Sequence, residues 1–307
     1  MIFAAAFLAV AAAPPASPSP EDRRNIALST AIVAHVGDRL WPNWSKTPFA
    51  IDLLTAAGPV AINFPKPLAA PSFPRRLEAT FPLANGVPTI VIGEPRFTAA
   101  KTPIRWSVIL LHEHFHQWQD SWPQYQLAIE GLKLAPKGGG NGMWMLDYAF
   151  PYKDKRVERL YGVMGTRLAT AVQAIGTARF RATATAYLSA RSTFKSALRP
   201  NDYRYFAFQC WQEGTARYTE IAVARLAARA AEHDPEFIAL GDANALARDS
   251  AATYGGVLQH LRSNSLGTDQ RVEFYSLGAG EALLLDQIDP GWHKRYLDKR
   301  MDLGNYF

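Results

Sequence analysis

The chain has 307 residues, of which 48% are hydrophobic, 12% aromatic and 20% charged, and this composition excludes a disordered chain, a collagen-like repeat and a coiled coil. A single cysteine, Cys210, excludes an internal disulfide, a Cys-based zinc module and an iron–sulfur cluster, because each of these needs several thiols. The net charge of +6 is spread along the chain without a Lys/Arg-rich run, so no nucleic-acid partner is expected.

The first residues have the composition of an export signal. Residues 1–13 (MIFAAAFLAVAAA) form an uninterrupted apolar run, which the Pro/Ser-rich stretch PPASPSP follows. The run is too short to span about 30 Å of hydrocarbon, but it has the length of the apolar part of a secretory signal. We therefore predict a signal peptide and Pro-rich linker over 1–20, no transmembrane segment, and a protein that is periplasmic or secreted. The alternative is a buried N-terminal helix.

The next segment, 21–100, predicts a small β-containing N-terminal part. Its apolar pattern is helical over 26–36, but frequent prolines between 41 and 100 exclude long helices there. The short β-branched runs 60–64 and 89–93 predict two strands, because turn-forming residues bound each of them. Asn85-Gly86 is typical of a turn between strands.

The remaining segment, 101–307, predicts a mainly α-helical domain, so the expected fold class is α+β. Its proline content falls and its apolar residues recur at helical spacing. The predicted helices lie near 103–120, 154–196, 203–232, 243–263, 271–287 and 291–300. A Gly-rich stretch at 137–152 separates the first of them from the rest.

The first of these helices carries a metal-binding motif. Thr102 is a good N-cap and Pro103 a good first helical residue, so a helix runs directly into HEHFH at 112–116. His112 and His116 lie on one helix face at the spacing that suits a single Zn²⁺, and Glu113 is placed to act as a general base. His114 lies about 200° around the helix from His112, so no metal role is expected for it.

A catalytic zinc site needs a third protein ligand, with water in the fourth position. Residues 211–220 read WQEGTARYTE, and HExxH followed by EGxAxYxE resembles the gluzincins, the superfamily of the thermolysin-like and aminopeptidase N-type peptidases. The resemblance implies a zincin-like catalytic domain over 101–307, with Glu213 as the third zinc ligand and Glu220 as the carboxylate that orients a zinc-bound histidine. Two alternatives are an ordinary surface position for Glu213 and an i, i+3 ion pair between Glu220 and Arg217.

A zinc hydrolase also needs a donor for the oxygen that becomes negatively charged when water adds to a carbonyl. In the gluzincins a Tyr or His from elsewhere in the chain supplies it. Tyr275, within EFYSLGAG at 273–280, is the preferred candidate, because the small residues around it permit close approach to the site. Tyr148, Tyr152 and Tyr254 are alternatives, and each of the four is also compatible with a core or rim aromatic.

The other histidines, His35, His233, His260 and His293, are isolated in the sequence and are expected to be surface or core residues. Asp120, four residues after His116, is a candidate partner for that imidazole, with a solvated helix end as the alternative.

Together these features predict an exported zinc-dependent hydrolase with Zn²⁺ as its cofactor. A metallopeptidase that acts on a peptide or protein substrate is the preferred function, with Glu113 and Tyr275 as catalytic residues. One alternative is a zinc amidase or esterase with a non-peptide substrate. The other is a secreted binding or scaffold protein whose HExxH motif is vestigial or structural.

Overall fold

The computed structural model describes residues 16–63, 73–82, 86–136, 142–233, 242–263, 265–298 and 301–307. Residues 1–15 of the predicted signal, Asn85 of the predicted turn and 137–141 of the Gly-rich stretch lie outside the described residues.

Helices account for most of the described chain. The α-helices are α1 (Pro20–Ile32), α2 (Asp38–Leu40), α3 (Pro103–Asp120), α4 (Tyr125–Gly131), α5 (Trp144–Asp147), α6 (Lys155–Gln173), α7 (Phe180–Ala197), α8 (Pro200–Gln209), α9 (Thr215–Ala231), α10 (Ala243–Ser263), α11 (Leu266–Asp269) and α12 (Glu273–Ile288). Two π-helical turns span Val33–Gly37 and Cys210–Gly214, and 3₁₀ turns span Trp44–Lys46, Pro95–Phe97, Gln270–Val272, Trp292–Arg295 and Leu303–Tyr306.

The first helix begins earlier than the sequence pattern predicts. Ser19 and Asp22 form a reciprocal capping box, in which each side chain accepts a 3.0 Å hydrogen bond from the other residue's backbone N–H. Pro20, assigned to the linker from sequence, is the first helical residue, where its fixed φ and missing N–H are tolerated.

Four short strands form one mixed sheet: β1 (Ile51–Thr55), β2 (Gly58–Ile62), β3 (Glu78–Pro82) and β4 (Pro88–Gly93). Their order is β2-β1-β4-β3, with β1 and β4 parallel at the centre and the outer pairs antiparallel. The two predicted strands correspond to β2 and β4. The fold is therefore mainly helical with a small sheet, which confirms the α+β prediction.

Three of the predicted helices differ from the structure. The segment 154–196 forms two helices, because the chain turns at Gly176 with φ of +77°, a left-handed conformation that suits glycine. The segment 203–232 begins at Pro200 and contains a π-helical turn. The segment 291–300 forms no α-helix over its described residues and contains the 3₁₀ turn Trp292–Arg295.

Helix α3 lies between the sheet and the other helices. Trp106 and Leu110 belong to an apolar cluster with the buried residues of β1 and β4. Leu111 and Phe115 belong to the larger core that the other helices build. The motif helix is thus fixed by apolar contacts on two sides.

Among the described residues, none of the helices combines the length and the apolar character needed to cross a lipid bilayer.

Candidate metal centre

Helix α3 begins as predicted and carries the motif in its second half. The Thr102 hydroxyl accepts a 3.2 Å hydrogen bond from the backbone N–H of Arg105, and Pro103 is the first helical residue. His112 and His116 lie one turn apart, and their Nε2 atoms are separated by 3.3 Å. The two imidazoles therefore point to one place on the helix surface.

Glu213 reaches the same place from a π-helical turn, Cys210–Gly214, between α8 and α9. Such turns redirect a side chain within a helix and are frequent at functional sites. A Cβ on Gly214 would lie 2.4 Å from the Cα of Gly278 on α12, and a Cβ on Gly278 would lie 2.2 Å from the Cys210 carbonyl oxygen. Only glycine permits this contact between the turn and α12.

The three predicted ligand atoms form a compact triangle. The Glu213 Oε2 atom lies 3.3 Å from His116 Nε2 and 3.6 Å from His112 Nε2. In a tetrahedral zinc site with bonds near 2.1 Å, neighbouring ligand atoms are about 3.4 Å apart. The donor set and its spacing therefore fit Zn²⁺ in this group.

The charges around the triangle favour a metal cation. Burial acts to lower the pKa of His112, but hydrogen bonds with Glu213 and Glu220 outweigh it and raise this pKa to about 9. Burial acts to raise the pKa of Glu213, but His116 and His112 hold it well below its usual range. Glu213 is consequently ionised at neutral pH, as a metal ligand must be.

Glu220 lies two turns beyond Glu213 and is fully buried. Its Oε1 atom is 2.7 Å from His112 Nδ1, so it accepts the Nδ1–H hydrogen bond and leaves Nε2 to face the triangle. Its Oε2 atom accepts hydrogen bonds from Arg105 at 2.5 Å and Arg217 at 2.8 Å. The contact with His112 and the i, i+3 pair with Arg217 are therefore both present. The two guanidinium groups lower the pKa of Glu220 despite its burial.

His116 has a different partner, which the sequence did not indicate. The Gln119 side-chain oxygen lies 2.7 Å from His116 Nδ1, and the Gln119 amide donates to the Tyr296 hydroxyl at 2.7 Å. Asp120, the candidate from sequence, instead accepts a hydrogen bond from Gln126. The i, i+3 spacing on the helix is the only sequence signal for Gln119.

The edge strand β3 contacts Glu113, which is buried beside the ligands. The Thr80 hydroxyl lies 2.9 Å from both the backbone oxygen and the Oε2 atom of Glu113. A threonine hydroxyl has one proton to donate, so these two oxygens share it. The sheet thereby holds the carboxylate, which lies close enough to His112 and His116 to raise the pKa of both.

His114 faces away from the triangle. Its ring stacks on Phe49 with centroids 4.1 Å apart, and its Nδ1 atom lies 2.7 Å from the Gln117 side-chain oxygen. Burial lowers the pKa of His114 to about 4, so the imidazole is neutral inside the protein.

Tyr275 lies beside His112, with the two ring centroids 6.3 Å apart and the planes 23° from parallel. Its hydroxyl accepts a 2.8 Å hydrogen bond from Arg271. Burial and the nearby Glu213 carboxylate raise the pKa of Tyr275. The hydroxyl is therefore protonated at neutral pH and able to donate.

The other tyrosine candidates have contacts elsewhere. The Tyr148 hydroxyl donates to Asp202 at 2.9 Å, and the Tyr152 hydroxyl donates to the Tyr205 hydroxyl at 3.5 Å. Tyr254 is partly buried against the helical core. Of the four candidates, Tyr275 is the one with a contact to a residue of the triangle.

No protein-family model matches the chain, and no curated protein or solved structure matches it either.

Two cavities lie near these helices. The larger, about 590 Å³, is beside α4 and is lined by residues such as Trp122 and Leu127, none of which belongs to the triangle. The smaller, about 360 Å³, is lined by Tyr275 and by Arg105 and Arg217, the two arginines that contact Glu220. The lining residues of neither cavity include a member of the triangle.

Proposed function

We propose that the protein is a zinc-dependent hydrolase, and specifically a metallopeptidase similar to the gluzincins. One observation carries the proposal: His112, His116 and Glu213 hold three nitrogen and oxygen ligand atoms 3.3 to 3.6 Å apart. Glu113, the general base of the motif, follows His112 directly on helix α3. This is the ligand set and base that hydrolytic zinc sites use.

Each residue around the triangle has a separate task in the proposed reaction. Bound Zn²⁺ supplies a Lewis acid that polarises a carbonyl and acidifies a water molecule. Glu113 accepts the proton of the attacking water and then delivers it to the leaving amine. Tyr275 donates a hydrogen bond to the carbonyl oxygen as negative charge develops on it. Glu220 and Gln119 hold the two imidazoles by their Nδ1 atoms.

The number of ligands favours an enzyme over a structural site. Within the described part of the chain, the group at the triangle consists of three residues. A structural zinc is enclosed by four protein ligands, whereas a catalytic zinc has three and keeps one position for water. His116 and Glu213 retain 12% and 16% side-chain exposure, so a small ligand can approach them.

The test combines zinc analysis with digestion of a peptide library by three proteins. We expect wild type to bind zinc and cleave peptides. Glu113→Gln should keep the zinc and lose about 10²- to 10⁴-fold in turnover, because the base is lost but no ligand is. His112→Ala with His116→Ala should lose both zinc at this site and activity.

Each outcome discriminates between the candidate functions. Zinc binding with cleavage of non-peptide esters or amides, and none of peptides, would favour the amidase or esterase. Zinc binding without cleavage of peptides, esters or amides would favour a binding protein. Equal peptide cleavage by wild type and Glu113→Gln would remove Glu113 from the reaction. Unchanged zinc at this site in the double histidine variant would refute the metal centre.

We also propose that the N-terminal apolar run 1–13, with the Pro/Ser-rich stretch after it, is a signal peptide and linker that direct export. N-terminal sequencing of the protein recovered from the cell envelope or medium tests this. A mature N-terminus between Ala13 and Ser17 is expected, and a retained Met1 in a cytoplasmic protein would contradict export.

A further inference from the structure

A second group of metal-ligating side chains lies where α10, α11 and α12 meet. His260 is in the last turn of α10, Asp269 ends α11 and Glu273 begins α12. Their ligand atoms all lie within 4.8 Å of one another. This group shares no residue with the triangle at His112, and the sequence had indicated His260 only as an isolated histidine.

The carboxylate of Glu273 is the unusual member of this group. Its side chain is only 1% exposed, and one oxygen, Oε1, lies 3.5 Å from His260 Nδ1. The other oxygen, Oε2, is buried and has no hydrogen-bond partner among the described residues. Such an atom is rare in folded proteins, because a buried charged oxygen without a partner loses its hydration and gains nothing in return.

The neighbouring side chains compensate only part of the negative charge of Glu273. His260 has a side chain that is 48% exposed, so solvent weakens its interaction with Glu273. Asp269 has the same charge as Glu273 and repels it. Burial has the largest effect and raises the pKa of Glu273. His260 acts in the opposite direction, and Asp269 adds a smaller increase. A cation that both oxygens of Glu273 bind would remove the repulsion from Asp269 and would satisfy Oε2.

We propose that His260, Asp269 and Glu273 bind a second divalent metal ion. One imidazole nitrogen and two carboxylates form a mixed set that suits Zn²⁺ or a similar transition ion better than Ca²⁺, which prefers oxygen ligands alone. The 3.5 Å separation of His260 Nδ1 and Glu273 Oε1 is close to the ligand spacing of a tetrahedral zinc site, about 3.4 Å. His260 also lines the cavity of about 360 Å³, which gives the ion a route of entry.

Such an ion would fix the start of α12. This helix carries Tyr275, two residues after Glu273, and Gly278, which packs against the π-helical turn that holds Glu213. Joining α12 to α10 and α11 through three ligands would restrict the movement of the Tyr275 ring relative to His112. The second ion would therefore stabilise and position the helix, while the chemistry stays at the triangle.

The test measures Zn²⁺ binding to the full chain in a background that lacks the first site. The His112→Ala/His116→Ala variant is loaded with Zn²⁺, separated from free metal and analysed for zinc per chain. We expect about one equivalent to remain, and we expect His260→Ala or Glu273→Gln in this background to lose it. Wild type should hold one equivalent more than the background variant.

Two controls keep the result interpretable. His233→Ala removes an exposed histidine outside the group and should leave the equivalent in place. His260→Ala changes a half-exposed side chain, so it decides the question if Glu273→Gln does not fold. A background variant without zinc, or one whose zinc survives His260→Ala, would overturn the proposal. Zinc at the second site is measured in the background variant, whereas zinc at the first site is the difference between wild type and that variant. Absence of zinc at the first site would therefore leave the result for the second site unchanged.

Discussion

Glu220 provides the sharpest test of how the metal centre is built. Its carboxylate is fully buried, accepts the Nδ1–H of His112 at 2.7 Å and pairs with two guanidinium groups. Glu220→Ala removes a carboxylate that contacts a proposed ligand, whereas Glu213→Ala removes a proposed ligand. We therefore expect the two variants to differ in the amount of zinc affinity that they lose.

The magnitude follows from the hydrogen bond. A hydrogen bond to a charged group contributes about 1.5 to 3 kcal/mol, and removal of a carboxylate that orients a metal-bound imidazole costs about 10- to 100-fold in affinity or activity. At about 1.4 kcal/mol per tenfold change, the two ranges agree. Glu220→Gln should lose less than Glu220→Ala, because its amide oxygen can still accept the His112 hydrogen bond.

Glu220→Ala should also destabilise the metal-free protein. It deprives Arg105 and Arg217 of their shared buried carboxylate, which would cost about 3 to 5 kcal/mol for fully buried groups. The two arginine side chains retain 23% and 26% exposure, and Arg105 keeps a contact with Asp249 at 3.4 Å. We therefore expect a smaller loss, about 1 to 3 kcal/mol in the free energy of unfolding.

Zinc affinity is measured by equilibrium competition for Zn²⁺ against a chromogenic chelator. The free energy of unfolding is measured by urea unfolding of each metal-free variant. Glu232→Ala changes an exposed carboxylate immediately after the same helix and should leave zinc affinity unchanged. Glu213→Ala should retain about as little zinc as a His112→Ala variant. If Glu220→Ala lost zinc as readily as Glu213→Ala, or lost none, the role assigned to Glu220 would be wrong.

Three further predictions concern the same site. Tyr275→Phe should retain zinc and lower turnover about 10²- to 10³-fold, since it removes only the donor to the developing charge; unchanged turnover in a peptide assay would exclude that role. Gln119→Ala should weaken zinc binding about tenfold through His116, and chelator competition that finds no change would contradict this. Zinc affinity should fall about tenfold per pH unit below pH 9, because a proton on His112, whose pKa is raised to about 9, competes with the metal. A zinc affinity that does not change between pH 6 and 8 would refute the competition between the proton and the metal.

Helix α3 shows how much local sequence can determine. The N-cap at Thr102, the proline after it and the apolar run that follows depend on neighbours within a few residues, and α3 begins and ends where they predict. The i, i+4 spacing then places His112 and His116 on one face in any α-helix. These features could be predicted because helical geometry alone produces them.

Other parts of the fold depend on more distant neighbours. The strands β1 and β3 and the π-helical turn at Cys210–Gly214 lack distinctive local patterns, and they form through pairing and packing with other elements. The predicted helix over 154–196 is divided because Gly176 adopts a left-handed turn that lets α7 pack back on α6. The break agrees with the low helix propensity of glycine and with its frequent place at helix ends, so this local signal was present in the sequence.

The HExxH face follows from the helical spacing of His112 and His116, and the resemblance named Glu213 and Glu220. The packing of α9 against α3, which brings Glu213 within 3.6 Å of both imidazoles, is visible in the tertiary structure alone. It also decided which common polar residues, Gln119 and Thr80, contact the site. The group around His260 is likewise visible only in the tertiary structure, because its members come from three helices. A helix fixes spacing within itself, but contacts between helices depend on the packing of the whole core.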